Sequence, residues 1–182
     1  MKKKNVDIRM LAEAGIMIAL AMILSTIVIY QAPQGGSVTA GSMVPIMIFA
    51  IRWGTGPGIL VGVAYGILHF IFKPSFFHWA QFILDYILAY GALGLAGIAH
   101  SSVDGLRSNN HMKIILVSVV SIGLRAFAHV LSGVIFFVEY AGSQNPWIYS
   151  IIYNATYLIP EMIISGFVLI LIWKPLQRAN IN

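Results

Sequence analysis

Cysteine is absent from this chain of 182 residues, so disulfides and thiolate metal sites are excluded, and redox compartment leaves no trace. Charge is nearly as scarce. Only 9% of residues are Asp, Glu, Lys or Arg, and just 6 of them are acidic. Soluble domains carry about 25% charged residues, so there is too little polar surface here to cover a water-facing globule. No G-x-x-x-x-G-K-[ST] phosphate loop occurs, which removes P-loop ATP hydrolysis from the chain's own repertoire. Internal repeats, heptad runs and low-complexity stretches are also missing, and with them the sequence case for an inverted-repeat carrier. His69, His78, His100 and His111 lack metal-ligand spacing, and no catalytic grouping or cofactor motif emerges.

What the sequence does hold is apolar length. Hydrophobic residues make up 59% of it, and mean hydropathy is +0.85. Spanning a bilayer takes about 20 residues of helix. By that measure the chain divides into six apolar segments, near 10–30, 39–51, 57–72, 78–100, 113–138 and 147–173. The second and third, roughly 13 and 16 residues, fall short of spanning length and imply tilt or partial re-entry. The expectation is an all-α integral membrane protein: one compact bundle of six transmembrane helices in a single domain over 1–182. The apolar stretch behind Lys2, Lys3 and Lys4 runs past Val28 without a convincing cleavage site, so no cleavable signal peptide is expected.

Net charge is +5, but the basic residues form no patch interleaved with aromatics, so nucleic acid is not an expected partner. They sit between the apolar runs. A cytoplasmic N-terminus places Lys2, Lys3, Lys4, Arg9, Arg52, Arg107, Lys113, Lys174 and Arg178 inside, leaving Lys73 outside and Arg125 within a helix. That asymmetry predicts both termini in the cytoplasm. Three connections then face outward: 31–38, with its turn-forming Ala32-Pro33-Gln34-Gly35-Gly36-Ser37; 73–77; and 139–146.

Ionisable and strongly polar residues at membrane depth are functional candidates by default. With a rise of ~1.5 Å per residue, Asp85 and Asn154 lie roughly 10 Å below the outer surface and His129 roughly 13 Å below it. Three helices therefore bring polar groups to one outer layer, the layout of a pocket open to the exterior. Trp79, Tyr86, Phe136, Phe137, Tyr140, Trp147, Tyr149 and Tyr153 crowd the same layer. A carboxylate among aromatic faces suits a flat organic cation, and His and Asn can read a heteroaromatic edge. Each has a structural alternative: an interfacial aromatic belt for the Trp residues, a helix–helix hydrogen bond for Asn154, a satisfied interior histidine for His129, and an ion pair or protonated acid for Asp85. Deeper in the membrane, Arg125 and Glu161 are expected to form a structural ion pair, and Pro160 to kink the last segment. Gly15 and Ala19, with Ala12 on the same face, form a small-xxx-small stripe suited to close helix approach, within the chain or to a partner.

Four stretches together carry a resemblance: Pro33-Gln-Gly-Gly-Ser37, Gln81-Phe-Ile-Leu-Asp-Tyr86, Arg125-Ala-Phe-Ala-His129 on through Ser132-Gly133 to Phe136-Phe137, and Trp147 to Tyr157. The chain resembles, over nearly its whole length, the thiamine-specific substrate-binding (S) components of energy-coupling-factor vitamin transporters of Gram-positive bacteria. The resemblance implies a non-enzymatic protein of the cell membrane that holds thiamine in an outward-facing pocket. It implies ligand contacts from Asp85, His129, Tyr149 and Asn154, with Phe137 stacking on the ligand and Tyr86 close by. Gln34 to Ser37, including Gly36 and Ser37, would close over the pocket, although this loop lacks the Trp found in some members. It further implies that Gly15 and Ala19 dock on a transmembrane coupling protein, powered by two separate ATPase subunits. Other readings are an S component for another water-soluble vitamin, an intramembrane enzyme using Asp85 and His129, and a proton-coupled carrier using Arg125 and Glu161.

Overall fold

In a computed structural model the chain is described over residues 7–75, 78–102 and 111–179. The Lys2–Lys4 cluster and Arg107 fall outside those residues, so the orientation argument rests on them as sequence alone.

The first helix, α1, runs Ile8–Thr26 and opens on Asp7, whose side chain accepts the Arg9 N–H at 2.9 Å. Beyond Arg9 and Glu13 its sequence is almost wholly apolar, and it buries only Ala21 and Ser25. Ile8, Leu11, Ile16, Leu20 and Ile23 are exposed, which in this composition means exposed to lipid or to another protein. Ala12, Gly15 and Ala19 lie on the same uncovered surface, and a Cβ added at Gly15 would meet nothing within 4 Å. Packing within this chain is therefore not what the stripe serves.

The first expected segment is shorter than its apolar run. Helix ends at Thr26, and Val28–Gln31 forms strand β1, paired antiparallel with β2, Ser37–Thr39. Ile27, Val28, Ile29 and Tyr30 are β-branched or aromatic and lose side-chain freedom in a helix. Pro33 lies just beyond, and Gly35 takes a φ of 96°, which a side chain disfavours. Pairing the two strands satisfies their backbone groups inside the chain, a requirement wherever water is scarce.

The second segment is short, as its apolar run implies. Helix α2, Val44–Trp53, has 10 residues, so its helical part reaches about 15 Å, below the usual spanning length. All of Val44 through Ile51 is buried. It is a short helix enclosed by the bundle, leading from the hairpin to the Arg52–Glu13 pair at the far end. Among the described residues five helices are each long and apolar enough to cross by themselves: α1, α3 (Thr55–Phe72), α4 (Trp79–His100), α5 (Met112–Phe136, within His111–Phe136) and α6 (Pro146–Leu176, within Pro146–Ala179).

α3 and α4 are pressed together by Gly58, Gly62 and Gly66, every fourth residue on one face of α3. A Cβ at Gly62 would stand 2.3 Å from the Tyr90 carbonyl oxygen, and one at Gly66 would stand 2.2 Å from that of Tyr86. Small residues at i, i+4, i+8 are what let two backbones meet in a membrane. α4 itself is not uniform: Trp79–Phe82 is α, Ile83–Leu88 is a π-helical turn, and Ala89–Leu93 returns to α. Such π turns are rare and gather at functional sites; this one carries Asp85 and Tyr86. At the opposite end of the bundle, Arg52 of α2 pairs with Glu13 of α1 at 3.3 Å, tying the otherwise exposed first helix to the core.

Candidate functional site

The walls of one cavity come from α3, α4, α5, α6 and the β1–β2 loop. Its mouth is open, and together with the solvent space at that mouth it takes in about 870 Å³. Gly36, Ser37, Asp85, Tyr86, His129, Phe137, Tyr149 and Asn154 all lie on its wall. Trp79 and Trp147 do not, and both are exposed, as an interfacial belt would have them.

Asp85 accepts three hydrogen bonds on that wall. Its Oδ1 accepts from His129 Nδ1 at 2.9 Å; its Oδ2 accepts from Gln81 Nε2 at 2.9 Å and from the Ser132 hydroxyl at 2.8 Å. Gln81 precedes Asp85 by four residues and Ser132 follows His129 by three, so each stands on the same helix face as the group it supports. His129 receives a further bond: Arg125 Nε donates to its Nε2 at 3.3 Å. Guninidinium nitrogens only donate. Nε2 must therefore present its lone pair, which puts the imidazole proton on Nδ1, aimed at Asp85. A neutral histidine thus links Arg125 to Asp85, and the carboxylate's charge is balanced one ring away.

Arg125 also lies 4.5 Å from the Tyr90 ring centroid, with NH2 3.5 Å from the Tyr90 hydroxyl. The expected ion pair between Arg125 and Glu161 is not formed; among the described residues the ion pair is Arg52–Glu13, and His129 meets Asp85 through its Nδ1–H. Arg125 turns instead to the cavity floor, while Glu161 accepts both the backbone N–H and the hydroxyl of Thr39 on β2. Each buried charge has found polar partners without the other, because β2 passes beside α6 and Tyr90 and His129 lie within reach of Arg125.

On α6 the polar wall is built by spacing. The Asn154 amide donates to the Ser150 carbonyl at 2.9 Å, and its oxygen accepts from the Tyr157 hydroxyl. Ser150 in turn donates to the Val130 carbonyl of α5 at 2.9 Å. Close contact of the two helices depends on Gly133, where a Cβ would meet Ser150 Oγ at 2.2 Å. Tyr149 stacks on Tyr153 with ring centroids 6.3 Å apart, and the Tyr149 hydroxyl has no hydrogen-bond partner among the described residues.

The loop between the strands lies over the cavity. Tyr153 offers its hydroxyl oxygen to the backbone N–H groups of Gln34 (3.1 Å) and Gly36 (3.2 Å). Gly36 sits on the Tyr157 ring so closely that a Cβ would fall 2.4 Å from it. Tyr86 secures a second outer connection, accepting from Ser75 N at 3.1 Å and donating to the Lys73 carbonyl at 3.3 Å.

Sequence reasoning had selected Asp85, His129 and Asn154 by depth alone. It did not assign Gln81, Ser132 or Tyr157 a role, nor His69 of α3, although helical spacing from the chosen residues would have found the first three. His69 Nδ1 and Gln34 Oε1 are buried on this wall with no hydrogen-bond partner among the described residues. They are open capacity for a bound molecule. The arrangement supplies a carboxylate, hydrogen-bonding edges and aromatic faces in a cavity with an open mouth.

Residues 11–181 match the model of the family described as thiamine transporter protein (Thia_YuaJ). The thiamine transporter ThiT of Bacillus subtilis (strain 168) is 40% identical over 177 residues, covering 92% of each chain. ThiT of Lacticaseibacillus paracasei is 31% identical over 156 residues, covering 78% of this chain and 75% of that one. A solved structure of ThiT from Listeria monocytogenes superposes with a TM-score of 0.78 at 28% identity, over 91% of this chain and 93% of the other. These likenesses run through every element that walls the cavity, in a family named for transport rather than for catalysis. The chain belongs to the thiamine transporter protein family.

Proposed function

We propose that this protein captures thiamine at the outer face of the cell membrane and hands it to a separate coupling protein driven by two ATPase subunits. The observation that carries the reading is Asp85. A carboxylate held by three donors, on the wall of an aromatic-lined cavity, is a counter-charge prepared for a cation. Thiamine brings a permanently cationic thiazolium ring and a flat aminopyrimidine. Asp85 would face the cationic or amino-bearing part, His129, Tyr149 and Asn154 the polar edge, and Phe137 one ring face. Gln34 to Ser37 would close the mouth.

Both termini are cytoplasmic in this reading, on the asymmetry of Lys and Arg between the loops. The exposed small-residue stripe of Ala12, Gly15 and Ala19 supports α1 as the face that docks on the coupling protein. Mass spectrometry of the compound that co-purifies tests the ligand directly. Thiamine is expected; another vitamin, or none after growth with thiamine, would defeat the assignment. Liposomes holding this chain alone should take up no thiamine under a pH gradient, and uptake there would replace the capture role with that of a self-sufficient carrier.

A further inference from the structure

Glu161 lies outside the cavity wall, yet it is 2% exposed and belongs to no ion pair among the described residues. A carboxylate kept at such depth needs partners. Glu161 finds both of them on one residue of β2: Thr39 donates its backbone N–H to Oε2 and its hydroxyl to Oε1, the latter at 2.6 Å. Thr39 Oγ1 also lies 2.8 Å from Ser42 Oγ, so the clamp reaches the turn that leads into α2.

Position along α6 gives the clamp its meaning. Tyr153, Tyr157 and Glu161 follow at four-residue intervals and form one stripe. The stripe meets the hairpin at three levels. Tyr153 accepts the loop amides of Gln34 and Gly36, Tyr157 lies beneath Gly36, and Glu161 holds Thr39 at the base. The upper bonds join neutral groups and the lowest is charge-assisted, about twice as strong per bond. A loop fastened weakly at its tip and strongly at its root opens by swinging about the root.

We propose that Glu161 is a positioning residue: through Thr39 it fixes the pivot of the β1–β2 loop, and so sets how long the closed cavity keeps its ligand. The inference deepens the capture reading and rests on thiamine being the ligand. Glu161→Leu and Thr39→Val remove the clamp, whereas Glu161→Gln retains one acceptor and a donor that the Thr39 hydroxyl can accept.

In stopped-flow fluorescence, Glu161→Leu and Thr39→Val should release thiamine roughly tenfold faster, the scale of one lost buried charge-assisted contact. Their association rates should stay within about twofold of the parent, because affinity changes within one interface fall mostly on dissociation. Glu161→Gln should restore most of the parental release rate. Hydrogen exchange on ligand-free protein should show faster exchange over 28–39, with 79–93 unchanged. A parental release rate in both Glu161→Leu and Thr39→Val overturns the proposal, as does a loss carried by association alone. Exchange that rises equally through α4 and α5, or not at all in the hairpin, overturns it too. Should the parent bind no thiamine, the capture reading fails, and the exchange pattern alone still decides whether Glu161 holds the hairpin. Should Glu161→Leu fail to fold, Thr39→Val carries the same comparison.

Discussion

Replacing Asp85 by Asn removes one charge while keeping shape, and the consequences can be worked from its bonds. The aspartate accepts from three donors: His129 Nδ1, Gln81 Nε2 and the Ser132 hydroxyl. Asparagine has one acceptor oxygen and turns two donor hydrogens toward the rest of that set. If its oxygen stays with His129, the new amide faces Gln81 and Ser132. Ser132 can rotate its proton away, but Gln81 also donates to the Ser75 carbonyl at 3.2 Å and loses that bond if it flips. Arg125, 8% exposed, would meanwhile keep its charge without the carboxylate that balances it. The empty protein should therefore lose stability as well. For the ligand, losing a hydrogen bond to a charged group costs about 1.5–3 kcal/mol, or roughly tenfold to a hundredfold in Kd. Tryptophan-fluorescence titration measures this, with thiamine compared against its neutral aminopyrimidine half. Thiamine should lose much more affinity than the neutral fragment. Equal losses would show that Asp85 does not act through charge, and unchanged thiamine affinity would refute its place in the site.

Three further outcomes follow from the packing. Gly36→Ala, which puts a methyl group against the Tyr157 ring, should lift the loop and weaken thiamine binding about tenfold, with thermal stability changed by under ~1 kcal/mol because the loop is at the surface. Gly66→Ala should do the reverse, since its Cβ meets backbone rather than a loop: a loss of about 1–3 kcal/mol in thermal unfolding in detergent, from splaying α3 off α4. Gly15→Leu, on an uncovered face, should leave thiamine affinity and stability unchanged within error while abolishing uptake by cells that carry the coupling module; normal uptake would separate α1 from docking.

Much of the site was readable because membranes make polar residues conspicuous. Asp85, His129 and Asn154 stand out in apolar runs, and counting residues from each segment's outer end already placed them in one layer. What counting could not supply was who bonds to whom. Arg125 and Glu161 looked like natural partners as the two deep charges on successive helices, yet each is satisfied by neutral groups. Thr39, an unremarkable residue at the edge of an apolar run, takes both oxygens of Glu161. Hydrogen bonds can compensate a buried charge without a counter-ion, and nothing in a linear pattern distinguishes the two solutions.

The sequence by itself determined that this is a membrane protein, since apolar length and scarce charge admit no other solvent. It also determined the order of the helices, and which polar residues stand near the outer surface. Only the tertiary structure decided that the second apolar run is a short helix enclosed by the bundle, that residues 28–31 leave the first helix for a hairpin, and that α4 takes a π turn at Asp85. Hydropathy records whether a residue avoids water, and lipid and protein interior satisfy it equally. Choosing between them depends on which backbone groups find partners and how closely glycines let helices approach, and those are relations between segments distant in the chain.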